Sequence, residues 1–586
     1  MNYNLNDISV ARPKTSTLQS LGKLLRLIGE ERRNMLFALT AILSNAGLNL
    51  LGPFLIGRTI DKYVVHGNYH GVLINSLLLL IMYMVAFVAS YLQTRLMGGV
   101  GQRMLFKLRN TIFNKLQELP VAFFNQNKAG DLISRVNNDT DKINQFFSQS
   151  LMQFIGSIAT MTGAGIFLLL INFRLGIAAL LPALFIFFFT KFTSGWIRTK
   201  NAESLKTTGG LSSEIQEGLH NFKVIIAFNR RDYFRKRFDE ANQRNYVKAK
   251  TAGIANTVFI PVYGFFASLA QLIILIYGIQ LISEGRFSIG LLVSYFSYST
   301  NFYNPLRQLA ALWTNFQVAM AGWDRISHIL ELETNLPIIE TNARTGSSPL
   351  LEFKEVHFGY EGGREILHHI NFSLERGKTY ALVGPTGGGK TTTASLIARL
   401  YDPQKGEVIF EGRDIRSMNP EERTRKIGFI LQEPFLFTGT LKDNILYGNK
   451  RYANIADREL EKIIDDFNLR SLVSVFEKGL ETQLTASGDS VSLGQKQLIA
   501  FMRAVLRNPE LLILDEATAN IDTVTEKALQ HILNQLPGAT TRVIIAHRLN
   551  TIQNADEIYF VNAGSLIRAG SFDHALKMLL QGKRES

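Results

Sequence analysis

The sequence predicts two unlike halves: a membrane all-α, six-helix transmembrane domain fused to an α/β domain built around a phosphate-binding P-loop. Three observations carry this. Residues 1–330 hold several long segments without a charged side chain, each near the roughly 20 residues that a helix needs to cross a hydrocarbon core. Residues 350–586 hold none, but they contain Gly384-x-x-x-x-Gly389-Lys390-Thr391 directly after an apolar run. A second apolar run, Leu511–Leu514, then ends in the carboxylates Asp515 and Glu516. At 586 residues the chain exceeds one ordinary soluble domain.

The transmembrane domain is expected over residues 1–330, with spans at about 35–60, 71–97, 145–172, 174–197, 252–283 and 287–313. In the fourth, Lys191 can snorkel toward the interface. The intervening segments 98–144 and 198–251 show apolar residues at three- and four-residue spacing, so helices should continue well past the bilayer. Cations sort with the same segments. Arg103, Lys107, Arg109, Lys115, Lys128 and Arg135 lie in the first, and Arg198, Lys200, Lys206, Lys223, Arg230 and Arg231 in the second. The N-terminal arm adds Arg12, Lys14, Lys23, Arg26, Arg32 and Arg33, whereas the short connections carry few. The positive-inside bias therefore puts both termini and both long connections in the cytoplasm.

The excess of 63 basic over 49 acidic residues, a net charge of +14, reads as this topology signal. No compact basic module with interleaved aromatics suggests nucleic-acid binding. There is no cysteine, which excludes disulfides, thiolate zinc sites and thiol catalysis. Residues 1–34 are polar, include Asp7, Glu30 and Glu31, and offer no short apolar core of a cleavable signal.

Residues 331–349, with Pro337, Gly346, Ser347 and Ser348, read as a linker, and 350–586 as the nucleotide-binding domain. Gly384, Pro385, Thr386, Gly387, Gly388 and Gly389 form the loop whose backbone N–H groups turn toward a triphosphate. Lys390 supplies a cation for its outer phosphates, the Thr391 hydroxyl is a hard ligand for Mg²⁺, and Thr392 is a further cofactor-binding candidate. Asp515 is placed to hold the Mg²⁺ shell and Glu516 to polarise an attacking water.

Between these motifs lies Val491-Ser492-Leu493-Gly494-Gln495-Lys496-Gln497, which resembles the signature of ATP-binding cassette (ABC) proteins. Ile427–Gln432 resembles the family's Q-loop, Ala519-Asn520-Ile521-Asp522 its D-loop, and His547 its switch histidine. Phe358-Gly359-Tyr360 matches the aromatic A-loop, where Tyr360 would stack on adenine. Phe123-Phe124-Asn125 through Asp139 resembles the first coupling region of the exporter branch, so the likeness covers nearly the whole chain. It implies ATP and Mg²⁺ as cofactors, with Thr391, Gln432 and Asp515 around the metal. It also implies catalysis by Glu516, His547 and Gln432, and a second half-transporter whose ATP would meet Ser492, Gly494 and Gln495. The implied setting is a bacterial cytoplasmic membrane, crossed several times.

Three motifs depart from the usual pattern. Leu493 stands where glycine is commonest, Thr482–Gly488 lacks the Gly-Glu-Arg-Gly run, and the D-loop opens Ala-Asn. All face the partner in the family, while this chain's own catalytic list is intact. That asymmetry resembles the catalytically complete half of a heterodimeric exporter; a homodimer is the alternative. Ser294, Tyr295, Ser297, Tyr298, Ser299, Thr300, Asn301, Tyr303 and Asn304 make the sixth span unusually polar, either to line a path or to bond helix to helix. Spans almost free of fixed charge suit small amphiphilic or hydrophobic compounds, as in multidrug efflux. Lipid flipping, peptide export, or an ATP-gated channel or sensor subunit remain the other readings.

Overall fold

The computed structural model describes residues 3–5, 22, 29–333, 336–340, 349–360, 363–432, 434–453, 455–485, 491–515, 529, 531–533, 536, 538–545, 555–570, 574 and 577. The chain forms two compact units. One comprises residues 9–117 and 130–331; the other comprises 1–8, 118–129 and 332–586.

The first unit is helical, as a backbone in hydrocarbon must be when every N–H and C=O has to be satisfied within the segment. Its helices in chain order begin with α1 (Arg32–Thr59), which runs into a π turn at Ile60–Val64, and α2 (Tyr69–Glu118). The short α3 (Val121–Gln126) falls in the other unit. Next come α4 (Ala129–Ser134), α5 (Thr140–Gln145) and α6 (Leu151–Ile171), joined by π turns at Arg135–Asp139 and Phe146–Ser150. They are followed by α7 (Phe173–His220), α8 (Phe222–Ala227), α9 (Arg231–Thr257), α10 (Phe259–Ser283) and α11 (Ile289–Glu331). At 50 residues α2 is about 75 Å long, well beyond a bilayer.

Among the described residues five helical segments are long and apolar enough to cross a membrane: Arg32–Val64, Tyr69–Glu118, Ala129–Ile171, Phe173–His220 and Arg231–Ser283. The sixth expected span lies in α11, whose Ser, Tyr and Asn residues lower its mean hydropathy. Those polar groups have an internal use. The Tyr295 hydroxyl donates to the Leu168 carbonyl near the C-terminal end of α6 and, at 2.8 Å, to that of Asn172, which also accepts from the Gly176 N–H at the start of the next helix. Tyr298 donates to the Leu50 carbonyl, Tyr303 to that of Ala179 and Ser294 to that of Pro53, each at 2.8 Å. Tyr295, Tyr298, Tyr303 and Ser294 therefore bond helix to helix within one chain, while the buried Ser299 hydroxyl does not, and Thr300 and Asn304 are exposed. Asp61 fixes the start of α11, accepting from the Gly290 N–H at 2.8 Å and the Ser288 hydroxyl at 2.5 Å.

The second unit is an α/β domain. β1 (Leu351–Gly359), β2 (Glu365–Leu374), β4 (Lys405–Phe410) and β5 (Arg413–Asp414) make an antiparallel sheet in the order β2-β1-β4-β5. β3 (Thr379–Val383), β6 (Ile427–Ile430), β9 (Leu511–Asp515), β10 (Thr541–Ile545), β11 (Glu557–Asn562) and β12 (Ser565–Arg568) make the second, in the order β12-β11-β3-β10-β9-β6. It is parallel from β11 to β6, with β12 added antiparallel. β3 and β9 are buried at every position, as expected of parallel strands covered on both faces. Helix α12 (Lys390–Ile397) follows β3, and α13 (Pro420–Lys426) precedes β6. A smaller helical part holds α14 (Leu441–Ile445), α15 (Asp457–Asp466), α16 (Arg470–Val473) and α17 (Leu493–Val505), with the short antiparallel pair β7 (Gly439–Thr440) and β8 (Gln483–Leu484).

Candidate functional site

Strand register decides which residues meet. β10 lies between β3 and β9, so Ile545 faces Leu382 on one side and Asp515 on the other. Across the next pair Ile430 faces Leu514. The chain thus leaves β3 at Gly384, β6 toward Gln432 and β9 after Asp515 along one sheet edge, where α/β folds bind nucleotides. Glu516, His547 and the D-loop residues 519–522 lie outside the described residues.

The loop after β3 has the shape of an anion cradle. Gly384 has φ +145°, and a Cβ there would sit 2.0 Å from the Val561 carbonyl oxygen. A Cβ at Gly388 would come within 2.6 Å of the same oxygen, so this backbone runs too close to β11 for any side chain. Pro385, Thr386, Gly387 and Gly389 complete the turn, and α12 begins at Lys390 with its N–H groups toward the loop. Lys390 is buried and donates to the carbonyls of Gly384 and Pro385 at 2.9 and 3.0 Å. The Thr391 hydroxyl lies 3.4 Å from Asp515 Oδ1, and Asp515 is buried. Two hard oxygen donors side by side next to this loop fit Mg²⁺ with a triphosphate.

Tyr360, just after β1, packs edge-on against Phe358 and Tyr401, with ring centres 5.1 Å away in each case, and its hydroxyl is 3.4 Å from that of Thr392. It remains half-exposed, leaving ring surface for a flat ligand. Gln432 is exposed beyond β6. The signature residues start α17: the Ser492 hydroxyl accepts from the Gln495 N–H at 3.2 Å, and Gln495 Oε1 accepts from the Ser492 N–H at 2.9 Å. Ser492 is exposed and Gly494 is the second residue of the helix.

Two features escaped the sequence reading. Asn125 of α3 donates to the Tyr401 hydroxyl at 2.7 Å, and burial pushes that phenol up. The segment carrying Asn125 is bounded along the chain by α2 and α4, yet it folds with the nucleotide unit. The other is a cavity of about 640 Å³ between α1, α2, α6 and α11. Its lining includes six carboxamides, Asn45, Asn49, Gln93, Gln153, Gln308 and Asn315, and no charged side chain. Single amides within charge-free spans were the available signal, since each is costly in hydrocarbon without a role.

Comparison with known proteins agrees with this architecture. Residues 35–306 match the family model for the ABC transporter transmembrane region, and residues 367–519 the family model described as ABC transporter. The chain is 35% identical to an uncharacterized ABC transporter ATP-binding protein of Bacillus subtilis, over 97% of this chain and 94% of the relative. It is 31% identical to the fatty acid ABC transporter ATP-binding/permease protein of Mycobacterium tuberculosis, over 84% and 78%. Against the multidrug resistance ABC transporter ATP-binding and permease protein of Lactococcus lactis the identity is 30%, over 84% and 83%. The chain belongs to the ABC transporter family. It is an exporter-type half-transporter, a multi-pass membrane protein that binds ATP and couples its hydrolysis to transport.

Proposed function

We propose that this chain drives efflux of small amphiphilic compounds by alternating access, as one half of a dimer. The observation that carries the reading is the uncharged, carboxamide-lined cavity within the helical unit. Uncharged hydrogen-bonding groups interleaved with the apolar side chains of Ile42, Met152 and Leu312 suit amphiphiles better than inorganic ions. The nucleotide-binding domain and both termini would face the cytoplasm, following the cation distribution.

At the ATP site Tyr360 would stack on adenine, the 384–389 loop and Lys390 would hold the phosphates, and Thr391, Asp515 and Gln432 would hold Mg²⁺. Bound there, Mg²⁺ would neutralise charge on the outer phosphates. Glu516 would accept a proton from the attacking water, with His547 and Gln432 orienting the reacting groups. Ser492, Gly494 and Gln495 would contact ATP held by a partner. The exposed N-terminus of α17 supports this, because its capping box leaves the Ser492 hydroxyl open to an approaching anion. A partner is also favoured by the tip at α8, where Leu219, Phe222, Val224 and Phe228 are exposed together.

A heterodimer is the favoured assembly, since Leu493 and the altered D-loop lie where the partner would bind. Uptake of an amphiphilic dye into inverted membrane vesicles, driven by ATP and lost in Glu516→Gln, tests the function; ATP-dependent conductance without matching turnover would overturn it. The purified chain alone, forming a stable dimer with full transport-coupled ATPase, would replace the heterodimer by a homodimer.

A further inference from the structure

The outer face of the β1–β2 hairpin gathers three histidines and two glutamates that the ATP chemistry does not use. Strand register explains how. Val356 pairs with Ile370 and Phe358 with Leu367, so His357 alone faces both His368 and His369 across a β-bulge. In a regular strand two adjacent residues point to opposite faces; here Leu367 and Ile370 are both buried, and His368 and His369 both turn outward. A second bulge sets Lys354 and Glu355 against Asn371. Glu355 and His369 occupy the left-handed region, at φ 49° and 48°, where glycine or asparagine would be less strained.

The side chains converge. His369 Nδ1 is 2.8 Å from Glu355 Oε2, and one ligand atom from each of Glu355, His357 and His369 falls within 4.8 Å of the others. His357 and Glu355 are also held from behind. Glu365 Oε1 lies 2.5 Å from His357 Nδ1, which leaves Nε2 for a metal, and Asn371 donates to the free oxygen of Glu355. Glu365 reaches His368 as well, at 3.2 Å. Carboxylates on the far nitrogen of a ligating histidine fix its tautomer and raise its basicity.

We propose that this face is a divalent transition-metal site of the zinc class, with His357, His369 and Glu355 as protein ligands and water completing the shell. The donor set of two imidazoles and one carboxylate favours zinc over Mg²⁺ or Ca²⁺. Coordination bonds of about 2.0–2.1 Å require the three ligand atoms to close to about 3.3 Å of one another. His369 and Glu355 are exposed enough to move, while His357 is largely buried and sets the position. A bound metal would clamp β1 to β2 three residues before Tyr360.

The test uses the full-length chain in detergent, free of nucleotide and of any polyhistidine tag, stripped with chelator and kept in excess Mg²⁺. Zinc chloride is titrated by calorimetry, and cobalt(II) is followed by its visible spectrum. One equivalent of zinc per chain is expected, with a cobalt band typical of low coordination number. Both should be lost in His357→Ala and in His369→Ala, and zinc affinity should fall at least about tenfold in Glu365→Gln. No zinc uptake by the unmodified chain, or undiminished uptake by both histidine variants, would overturn the proposal.

Discussion

Arg325 of α11 grips Asp139 with two parallel hydrogen bonds, Nε to Oδ2 at 2.7 Å and Nη2 to Oδ1 at 2.6 Å. Asp139 ends the π turn after α4 with a side chain only 4% exposed, and Lys142 approaches it at 3.3 Å. Arg135 donates in turn to the Arg325 carbonyl at 3.0 Å. Replacing Arg325 by Met leaves a buried carboxylate with one weaker partner. Because Arg325 is itself 44% exposed, the expected loss is about 1–3 kcal/mol, short of that for a fully buried pair. Thermal unfolding of the purified protein measures it. The double variant Asp139→Asn, Arg325→Met should lose less than the two single losses added; strict additivity would show that the pair is not coupled.

Gly384→Ala addresses the phosphate cradle. The added methyl would press on the Val561 carbonyl at a φ that alanine rarely adopts. The strain, about 1–3 kcal/mol, can be relieved only by moving the loop. ATP binding, read by a fluorescent analogue, should fall steeply while the protein still folds. Unaltered binding would mean that the loop has room the structure does not show.

The cavity and the buried tyrosines separate by mutation. Tyr298→Phe removes one interhelical hydrogen bond at a cost of about 0.5–1.5 kcal/mol, and leaves the concentration dependence of dye-stimulated ATPase unchanged. Gln308→Leu, on the cavity wall, should shift that dependence with little change in stability. The reverse pattern would move the substrate path to the tyrosine side of α11.

Acid sensitivity should trace partly to Glu411. Burial raises its carboxyl, but hydrogen bonds from Lys426 and Arg376 outweigh that and hold it at about 2, against 4.5 for an unperturbed glutamate. A depressed carboxyl stabilises the fold fully above its unfolded value, and the contribution drains away as pH falls from about 4.5 toward 2. Glu411→Gln should therefore be less stable near neutrality and show a shallower decline across that acid window, measured by unfolding at a series of pH values.

What could be read from the sequence was whatever lies along consecutive residues. The P-loop, the apolar strand before Asp515 and the Ser492 cap each write their geometry within a few positions, so side-chain chemistry and spacing sufficed. Contacts that depend on distant segments were hidden. Nothing in the polar run of α11 says that Tyr295 reaches Leu168 while Thr300 is exposed, because the phase of one helix against its neighbours is set by packing. The Asn125–Tyr401 bond spans 276 residues, and the histidine cluster exists only because a bulge turns two neighbours to one side. Glu516 and His547 lie outside the described residues, so their proposed roles rest on the family resemblance alone.

The π turns at Arg135–Asp139 and Phe146–Ser150 bear on the cavity in a different way. Each accommodates one residue more than an α turn, and one residue of helix is worth about 100° of rotation and 1.5 Å of advance. Helix α6 therefore presents Gln153, Gly156, Ser157 and Thr160 to the cavity because of how two turns upstream are wound. The wall has an angular setting, indexed in single residues, and deleting one residue between 135 and 150 would dial a different side of α6 inward.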